Sequence, residues 1–418
     1  MGDSNELVLD AMQRPCKLLK RSPWSLLNST ASAGASHRHP WRESCSCRTP
    51  PRTPRCASWP VRPRASAATP SAASTATSTT SRPSRARTLT HTSLFIFHLP
   101  ASNNVANGSR SPDDGDGSLR EGCRRREPLW IVFDVSGTIH LSTGLRVSSY
   151  KTIDGRGQRV TLSGKGLQLR ECEHVIVCNL EVEGCRGHDA DAVAVKPGSR
   201  HVWIDRCGLR GCGDGLLDVT RGSTDVTVSR CRFSAHDKAV LIGGSAGHVE
   251  DRAIRVTIHH CLFDGTRQRH PRVRFGRVHL YNNYTRGWGI YAVCASVESQ
   301  IVSQCNIYEA GEKKKVFKYM IEQAADRDQS STGFIRSEGD LFLNGAEECT
   351  AQDSEAAADE LWDFKIQELD FYQSCSVQPA SMALKELLEC FTGWQPVPLP
   401  EDTCLEEETD SAPADTTA

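Results

Sequence analysis

A cluster of arginines is the first feature of this chain that could do chemistry. The stretch Arg267–Arg274 places four guanidinium groups within eight residues, between two segments with the apolar pattern of β-strands. The whole chain carries a formal net charge of only −1, so this density of positive charge is local. Because like charges so close together repel one another, the cluster predicts a bound anion. Arg269, Arg272 and Arg274 are the candidate anion-binding residues.

Four aspartates upstream form a second candidate site. They occur as two close pairs, Asp189 with Asp191 and Asp214 with Asp218, each next to a short apolar run. Crowded carboxylates repel one another unless a cation lies among them, and oxygen ligands of this kind suit Ca²⁺. Single aspartates more often end strands and form turns. It is the clustering on neighbouring repeats that favours a metal site.

A lysine lies between the two clusters in sequence. Lys238 precedes the apolar run Ala239–Gly243, and repeat counting puts it on the same side of the structure as the aspartates and Arg269. A lone lysine in a turn is usually a solvated charge, but here several cations and carboxylates are predicted to converge. Together they predict a site that binds an acidic polymer through fixed positive charges and a metal ion.

The elements that must position these residues are repeated β-strands. Apolar strand segments recur along the chain, with anchor residues at Val175, Val202, Val226, Val256, Val278 and Ile301. Successive anchors are 22 to 30 residues apart. This spacing is too short for a propeller blade of roughly 40 residues and suits one coil of a parallel β-helix. The sequence therefore predicts an all-β fold, a single-stranded parallel β-helix over residues 116–345.

A second regular series follows five residues after the anchors. Its last members are Cys207, Cys231, Cys261, Asn283 and Asn306. Equivalent positions on neighbouring coils lie about 4.8 Å apart, so these side chains are predicted to form an internal ladder along the stack. Thiols at that spacing could form disulfides, but most of the eighteen cysteines are expected to be free and packed as small apolar groups.

The two ends of the chain differ from the repeats in composition. Residues 1–115 are expected to be disordered or to come from an incorrectly predicted exon, because residues 31–92 are rich in Ser, Thr, Ala, Pro and Arg without periodicity. Residues 346–400 contain a helical pattern at Ser381–Phe391, predicted to cap or flank the last coil, and 401–418 form an acidic tail. No apolar run approaches the ~20 residues of a membrane span. The near-neutral charge gives no reason to expect nucleic-acid binding.

Residues Leu119–Ala310 resemble the plant-type pectate lyases of polysaccharide lyase family one. The matching blocks are Pro128–Phe133, Lys151–Gly157, Val202–Asp205, Asp214–Asp218, Arg269–Arg274 and Asn282–Thr285. The resemblance implies a right-handed parallel β-helix and Ca²⁺ as the cofactor. It also implies β-elimination on de-esterified homogalacturonan, the polygalacturonate backbone of pectin.

The resemblance further implies a role for each candidate residue. Those that correspond to calcium ligands are Asp189, Asp191, Asp214 and Asp218. Arg269 corresponds to the base that removes the C5 proton, and Lys238 and Arg274, with Arg272 beside them, to residues that bind the substrate carboxylate. Neutralising that carboxylate stabilises the enolate-like transition state. Because arginine is ordinarily protonated, activity is expected to rise toward alkaline pH.

Two other functions remain open. A catalytically degenerate pectin-binding β-helix protein would share the fold and the ligands but would release no unsaturated product. A hydrolase on the same fold would need a pair of carboxylates that position a water and an acid, whereas this centre offers arginine and lysine. A monomer that acts at the cell wall is expected, although Met1–Glu6 lacks the basic and apolar stretches of a signal peptide.

Overall fold

The computed structural model describes residues 95–99, 113–349, 362–364, 366 and 376–396. Coils of chain stack in parallel and build a solenoid with three sheets, so the predicted parallel β-helix is confirmed. Most of the range 1–115 and all of the tail 401–418 lie outside the described residues. None of the helices in the described part of the chain is long and apolar enough to cross a membrane.

The first sheet has ten strands within the described residues. They are β1 (Phe95–Leu99), β2 (Leu129–Phe133), β5 (Lys151–Asp154), β8 (Glu173–Cys178), β11 (Arg200–Asp205), β14 (Thr224–Ser229), β17 (Arg255–His259), β20 (Arg277–Tyr281), β23 (Gln300–Gln304) and β28 (Phe334–Glu338). The register places Val202 between Val175 and Val226, and Val278 between Val256 and Ile301. The predicted anchors are therefore confirmed as stacked residues of one sheet.

The second sheet consists of strands of three or four residues and faces the C-terminal segment. Its strands are β3 (Gly137–His140), β6 (Val160–Ser163), β9 (Glu181–Glu183), β12 (Gly208–Arg210), β15 (Arg232–Ser234), β18 (Leu262–Asp264), β21 (Tyr284–Arg286), β24 (Ile307–Glu309) and β29 (Leu341–Leu343). Strands this short pair only with the coils directly above and below, so each coil contributes one rung.

The third sheet carries the candidate site. Its strands are β4 (Leu145–Val147), β7 (Leu167–Leu169), β10 (Val193–Val195), β13 (Gly215–Val219), β16 (Lys238–Ile242), β19 (Arg272–Val273), β22 (Val293–Ser296) and β25 (Phe317–Met320). A small antiparallel hairpin of β26 (Glu322–Gln323) and β27 (Ser330–Ser331) follows β25. Inward side chains such as Leu217, Val240 and Val293 are fully buried, and the alternating outward positions are free to carry charge.

The predicted internal ladder is present, and its hydrogen bonds run in one direction. Its members are Cys207, Cys231, Cys261, Asn283, Asn306 and finally Asp340. Each side chain accepts a hydrogen bond from the backbone N–H of the member one coil earlier, as in the 2.8 Å bond from Asn283 N to Asn306 Oδ1. The thiols of the ladder are free, as expected. Because the ladder satisfies buried backbone donors, it fixes the registry of the coils.

Two helices flank the solenoid in the described residues. Helix α1 (Leu119–Arg124) begins at Ser118, whose hydroxyl accepts from Glu121 N, and it buries Leu119 and Cys123 against the first coil. Strand β1 pairs with β2 on the same end of the stack. This strand lies within the range 1–115, so part of that range adds to the first sheet.

Helix α2 (Met382–Phe391) packs along the second sheet, up to Leu341 and Leu343 of its last strand, so it flanks the stack. It buries Leu384 and Leu388 against Leu262, Tyr284 and Ile307. Its ion pairs are Lys385 with Glu309 at 2.6 Å and Arg286 with Glu389 at 2.8 Å. The helix therefore covers apolar positions that a strand face would otherwise leave in solvent.

Two asparagine side chains hold the segment that contains α2. Asn282 exchanges two hydrogen bonds with the backbone of Gln378, and Asn179 does the same with Gln395. Both asparagines occupy the corner between the first and second sheets and have φ values of 51° and 56°. Asparagine tolerates this left-handed backbone better than most residues. The same corner residue thus turns the coil and binds the C-terminal segment.

We expect the variant Asn306→Leu to be less stable than the wild type by roughly 2–4 kcal/mol in free energy of unfolding, because the buried Asn283 N–H loses its acceptor. Urea unfolding followed by circular dichroism measures the change. Gln323→Leu, in the exposed part of β26, is the matched control and should cost less than about 1 kcal/mol. Equal losses in the two variants would contradict a stabilising role for the ladder.

Candidate active site

The four predicted aspartates lie on two neighbouring coils of the third sheet. Asp189 and Asp191 precede β10, Asp214 precedes β13, and Asp218 lies within β13 beside Ala194. Asp191 Oδ1 accepts a hydrogen bond from Gly215 N at 2.8 Å, which joins the two coils. The structure therefore places the four residues on two neighbouring coils, and Asp191 contacts the coil that carries Asp214 and Asp218.

Gly215 makes the close approach of these carboxylates possible. A Cβ atom at this position would lie 2.8 Å from Asp218 Oδ1 and 3.0 Å from Asp191 Oδ1. Any larger residue would therefore push at least one carboxylate away.

The predicted cations occupy the next coils of the same sheet. Lys238 is the first residue of β16 and is in register with Gly215. Arg272 of β19 is in register with Leu241, which in turn is in register with Asp218. Acidic and basic residues thus follow one another along one face of the sheet, as the repeat spacing predicted.

Arg269 lies in the turn before β19, in a left-handed backbone conformation with φ of 69°. Its carbonyl oxygen accepts from Val240 N at 2.8 Å, which anchors the turn to β16. Among the described residues, its buried Nε has no hydrogen-bond partner. Backbone strain together with an unsatisfied donor is typical of a residue held for function.

Asp214 and Lys238 form a short ion pair between neighbouring coils. Lys238 Nζ donates to Asp214 Oδ1 at 2.5 Å. This hydrogen bond lowers the pKa of Asp214, and the positive charge of Arg269 lowers it further. Asp214 is therefore ionised at neutral pH and bound to the cation beside it.

The other three aspartates surround a lysine that the sequence analysis did not select. Lys196 Nζ lies 2.7 Å from Asp189 Oδ1, 3.1 Å from Asp191 Oδ2 and 3.9 Å from Asp218 Oδ2. Burial alone would lower the pKa of Lys196, but these carboxylates raise it overall. The ammonium group is therefore a cation fixed among three carboxylates.

Asp218 remains under electrostatic strain in spite of this lysine. Burial raises its pKa to about 7, and the neighbouring charge of Asp191 contributes in the same direction. Lys196 and Arg269 act against this increase but do not cancel it. The ionised form of Asp218 is thus only partly stabilised by the positive charge of Lys196, and a cation of higher charge would stabilise it further.

Arg272 and Arg274 share one carboxylate from the hairpin. Glu322 accepts from Arg272 Nη2 at 2.8 Å, and from Nε and Nη2 of Arg274 at 2.6 and 3.0 Å. The two arginine side chains are 13% exposed and that of Glu322 is 20% exposed. Two of the three predicted anion-binding arginines therefore hold an anion supplied by the chain itself.

The donor set suits a hard divalent cation, because it consists of carboxylate oxygens that repel one another. Asp191 and Asp218 are the central pair, and Asp189 lies at the exposed edge. Within the described residues, no three His, Cys, Asp or Glu side chains are arranged to hold a metal ion at once. In this arrangement the Lys196 ammonium lies where their oxygens meet, as a stand-in cation.

Lys196 and Glu322 differ in how well the sequence signals them. Lys196 directly follows β10 and is five residues from Asp191. A basic residue this close to the aspartates in sequence could have been selected as their ion-pair partner. Glu322 lies in a hairpin that has no counterpart in the repeats, and no spacing argument places it near Arg274.

This chain is similar to proteins that share one description, pectate lyase. The sequence profile of a family described as "Pectate lyase" matches residues 140–340. "Probable pectate lyase 4" of Arabidopsis thaliana is 39% identical over 252 residues, which cover 58% of this chain and 67% of that protein. "Pectate lyase 4" of Ambrosia artemisiifolia is 36% identical over 253 residues, covering 55% of this chain and 63% of that protein.

Solved structures agree with the fold. The crystal structure of Jun a 1, the major allergen from cedar pollen, matches with a TM-score of 0.59 and 29% identity, over 72% of this chain and 88% of that one. The chain spans between about half and two thirds of the length of the curated relatives it matches.

We expect Asp218→Asn to stabilise the protein in a chelator at pH 8 by roughly 1–4 kcal/mol, because it removes a buried carboxylate that is costly to ionise. The stability contributed by neutral Asp218 is present below its unfolded pKa of 3.8 and is lost as the pH rises through about 7. The gain should therefore vanish near pH 4. Urea unfolding at both pH values measures it.

Asp237→Asn provides the matched control for this prediction. Burial acts to raise the pKa of Asp237, but hydrogen bonds from Gln268 and Arg267 and neighbouring positive charges lower it overall. Its charge is favourable, so this variant should lose stability at pH 8. A loss of stability in Asp218→Asn as well would contradict the proposed strain.

Proposed function

The chain belongs to the pectate lyase family, and we propose that it cleaves de-esterified homogalacturonan by β-elimination with bound Ca²⁺. The observation that carries this proposal is the succession of the four aspartates, Lys238 and Arg272 on neighbouring coils of the third sheet, with Arg269 in the turn just before β19. Polygalacturonate presents a carboxylate on every sugar. A row of cations next to a metal site matches that charge pattern.

Four side chains would hold the calcium ion: Asp189, Asp191, Asp214 and Asp218. The charge among them supports a divalent cation, since the pKa of Asp218 stays near 7 beside one ammonium group. When bound, calcium supplies positive charge that neutralises the substrate carboxylate next to C5. Lys238 and Arg274 add fixed positive charge to the same carboxylate, which stabilises the enolate-like charge that develops as C5 loses its proton.

Arg269, in its neutral guanidine form, is the proposed acceptor of the C5 proton, which converts it to the guanidinium ion. The electrons of the C5–H bond form the C4–C5 double bond, the C4–O4 bond breaks, and a solvent proton neutralises the departing oxygen. One product chain therefore begins with an unsaturated sugar. Two observations support this role. The Nε of Arg269 has no hydrogen-bond partner among the described residues, and Arg269 lies in the turn just before β19, which begins at Arg272.

Arg272 and Arg274 are the proposed binding groups for substrate carboxylates. In the structure they make a charge-assisted, partly bidentate contact with Glu322. A galacturonate carboxylate offers the same two oxygens, so binding of the polymer would replace one carboxylate by another. We further propose that the protein acts as a monomer on pectin of the plant cell wall.

A pectin-binding protein without catalytic activity is the second candidate. The contacts of Lys196 with three of the four aspartates favour it, because an ammonium group that stayed there would keep the metal out. Such a protein would bind polygalacturonate and leave it intact. Ultraviolet absorbance of the unsaturated product separates the two functions.

We expect Arg269→Lys to lower the rate of cleavage of polygalacturonate by about 10²–10⁴-fold, because a lysine cannot place a nitrogen in the same position. The absorbance of unsaturated ends, with calcium or with a chelator, measures the rate. Chelator should abolish the activity of the wild type.

Arg200→Lys is the matched control for this experiment. Arg200 lies on the first sheet and pairs with Glu173 at 2.7 Å, so its replacement should leave the rate unchanged. Full activity of Arg269→Lys, or full activity of the wild type in chelator, would contradict the proposed mechanism.

Glu322→Gln should bind polygalacturonate more tightly, with KM lowered by roughly three- to tenfold and kcat little changed. The substitution removes an internal carboxylate that competes with the substrate for Arg272 and Arg274. Initial rates at varied polymer concentration measure both constants.

Glu298→Gln serves as the control, because Glu298 pairs with Arg252 outside the site at 2.6 Å. An increase in KM for Glu322→Gln, with KM unchanged in Glu298→Gln, would show that Glu322 positions the arginines for the substrate. Competition would then be the wrong interpretation.

A further inference from the structure

The contacts of Lys196 go beyond an ordinary surface ion pair. Its ammonium group touches Asp189 and Asp191 within 3.1 Å and lies 3.9 Å from Asp218. The side chain of Lys196 is 20% exposed, and those of Asp191 and Asp218 are 1% and 13% exposed. Water therefore screens the inner contacts of this group poorly.

The fold explains why the lysine reaches three carboxylates. Strand β10 ends at Val195, and Lys196 continues from it with its N–H bonded to Leu169 O at 2.9 Å. Asp189 and Asp191 precede the same strand, and Asp218 lies on the next coil beside Ala194. Because β10 has only three residues, the side chain of Lys196 after the strand reaches the two aspartates before it as well as Asp218 on the next coil.

The charges in this cluster are not balanced. A single ammonium group faces the carboxylates of Asp189, Asp191 and Asp218. The fourth aspartate, Asp214, is paired with Lys238. A divalent ion would neutralise the three carboxylates better than one ammonium group does. Calcium also takes six to eight oxygen ligands, whereas an ammonium group offers three donors.

We propose that Lys196 is an internal cation that occupies the calcium ligands when calcium is absent and leaves them when calcium binds. Lys196 and calcium compete for the same oxygens, so the lysine sets the calcium concentration at which the site fills. This inference rests on the proposed function, because it takes calcium as the ion that the four aspartates bind. It assigns to Lys196 a role in metal affinity, separate from any contact with substrate.

Competition has two consequences that can be measured without any enzyme assay. Removing the ammonium group should raise the affinity for calcium, since no internal contact must be broken first. The same change should lower the melting temperature in chelator, because three carboxylates then lack their cation. The increase in melting temperature on adding calcium should accordingly be larger than in the wild type.

The experiment uses the full chain and the variant Lys196→Met, in which the side chain stays unbranched as far as Cε and loses the ammonium group. Isothermal titration with calcium chloride after chelator treatment gives the affinity, and thermal unfolding with and without calcium gives the stability. We expect Lys196→Met to bind calcium about tenfold more tightly. Lys196→Arg, which keeps the positive charge, should remain close to the wild type.

Lys165→Met is the matched control for the loss of one positive charge nearby. Lys165 lines a cavity of about 260 Å³ together with Asp189 and Asp191. Its ammonium group, however, donates to Arg186 O at 2.6 Å. This variant should keep the affinity of the wild type. An equal gain in both variants would assign the effect to general charge and overturn the role of the contact.

The remaining outcomes separate this inference from the proposed function. Equal or weaker calcium binding by Lys196→Met, with clear binding by the wild type, overturns the inference and leaves the calcium site standing. Binding by the variant alone supports occupation of the ligands by Lys196 but contradicts its release by calcium, and with it calcium use by the wild type. Binding by neither overturns both. Lys196→Gln, whose amide can still bond to the carboxylates, replaces the methionine variant if that variant does not fold.

Discussion

The stacking of coils at the spacing of β-strands is the constraint on which the rest of this structure depends. Neighbouring coils lie about 4.8 Å apart, so side chains at equivalent positions must tolerate each other at that distance. Inside the solenoid this requirement selects the aliphatic rows and the ladder that runs from Cys207 to Asp340. Outside it, the same requirement places Asp218 one strand from Ala194 and two strands from Arg272. The charged side chains of the site are therefore held close to one another by the stacking of the coils.

The site offsets these forced contacts only in part with charges of its own. Lys196 faces three carboxylates, Lys238 faces the fourth, and Glu322 faces two arginines. None of these pairings needs a ligand, and each one involves groups that the proposed reaction would use. A buried charge left without a partner costs several kcal/mol, so a site made of unpaired charges would endanger the fold. Internal pairing lets the solenoid keep strongly charged residues at a protected face.

The sequence predicted those parts of the structure that repeat. The anchors from Val175 to Ile301 and the ladder residues follow from periodic spacing, because each coil solves the same packing problem. The convergence of the aspartates with Arg272 follows from the same counting. Non-repeating parts could not be found this way. The contact of Glu322 with Arg274 crosses 48 residues through a hairpin, and that of Asn179 with Gln395 crosses 216 residues.

The amphipathic pattern of α2 predicts a helix with one buried face but not the surface against which that face packs. Its amphipathic spacing indicates that one face must be buried, and Leu384 and Leu388 are indeed buried. The spacing does not say where. Tyr284 and its neighbours in the second sheet offer the apolar surface, and the corner asparagines Asn179 and Asn282 select the path of the segment. The apolar surface and the pair of corner asparagines are each formed by residues far apart in sequence, so they can be recognised only in the folded structure.

Internal pairing also determines how ligands would enter this site. Under the proposed function, ligands would bind by exchange, since calcium would displace Lys196 and a polymer carboxylate would displace Glu322. Exchange of this kind couples the two steps. A released Lys196 ammonium adds positive charge beside β10, next to the face that carries Arg272, and this charge favours an acidic polymer. A bound polymer in turn offers the released lysine new carboxylates and so weakens its return to Asp191. Metal and polymer would therefore strengthen each other's binding without any movement of the backbone, by the reciprocity that linked equilibria require.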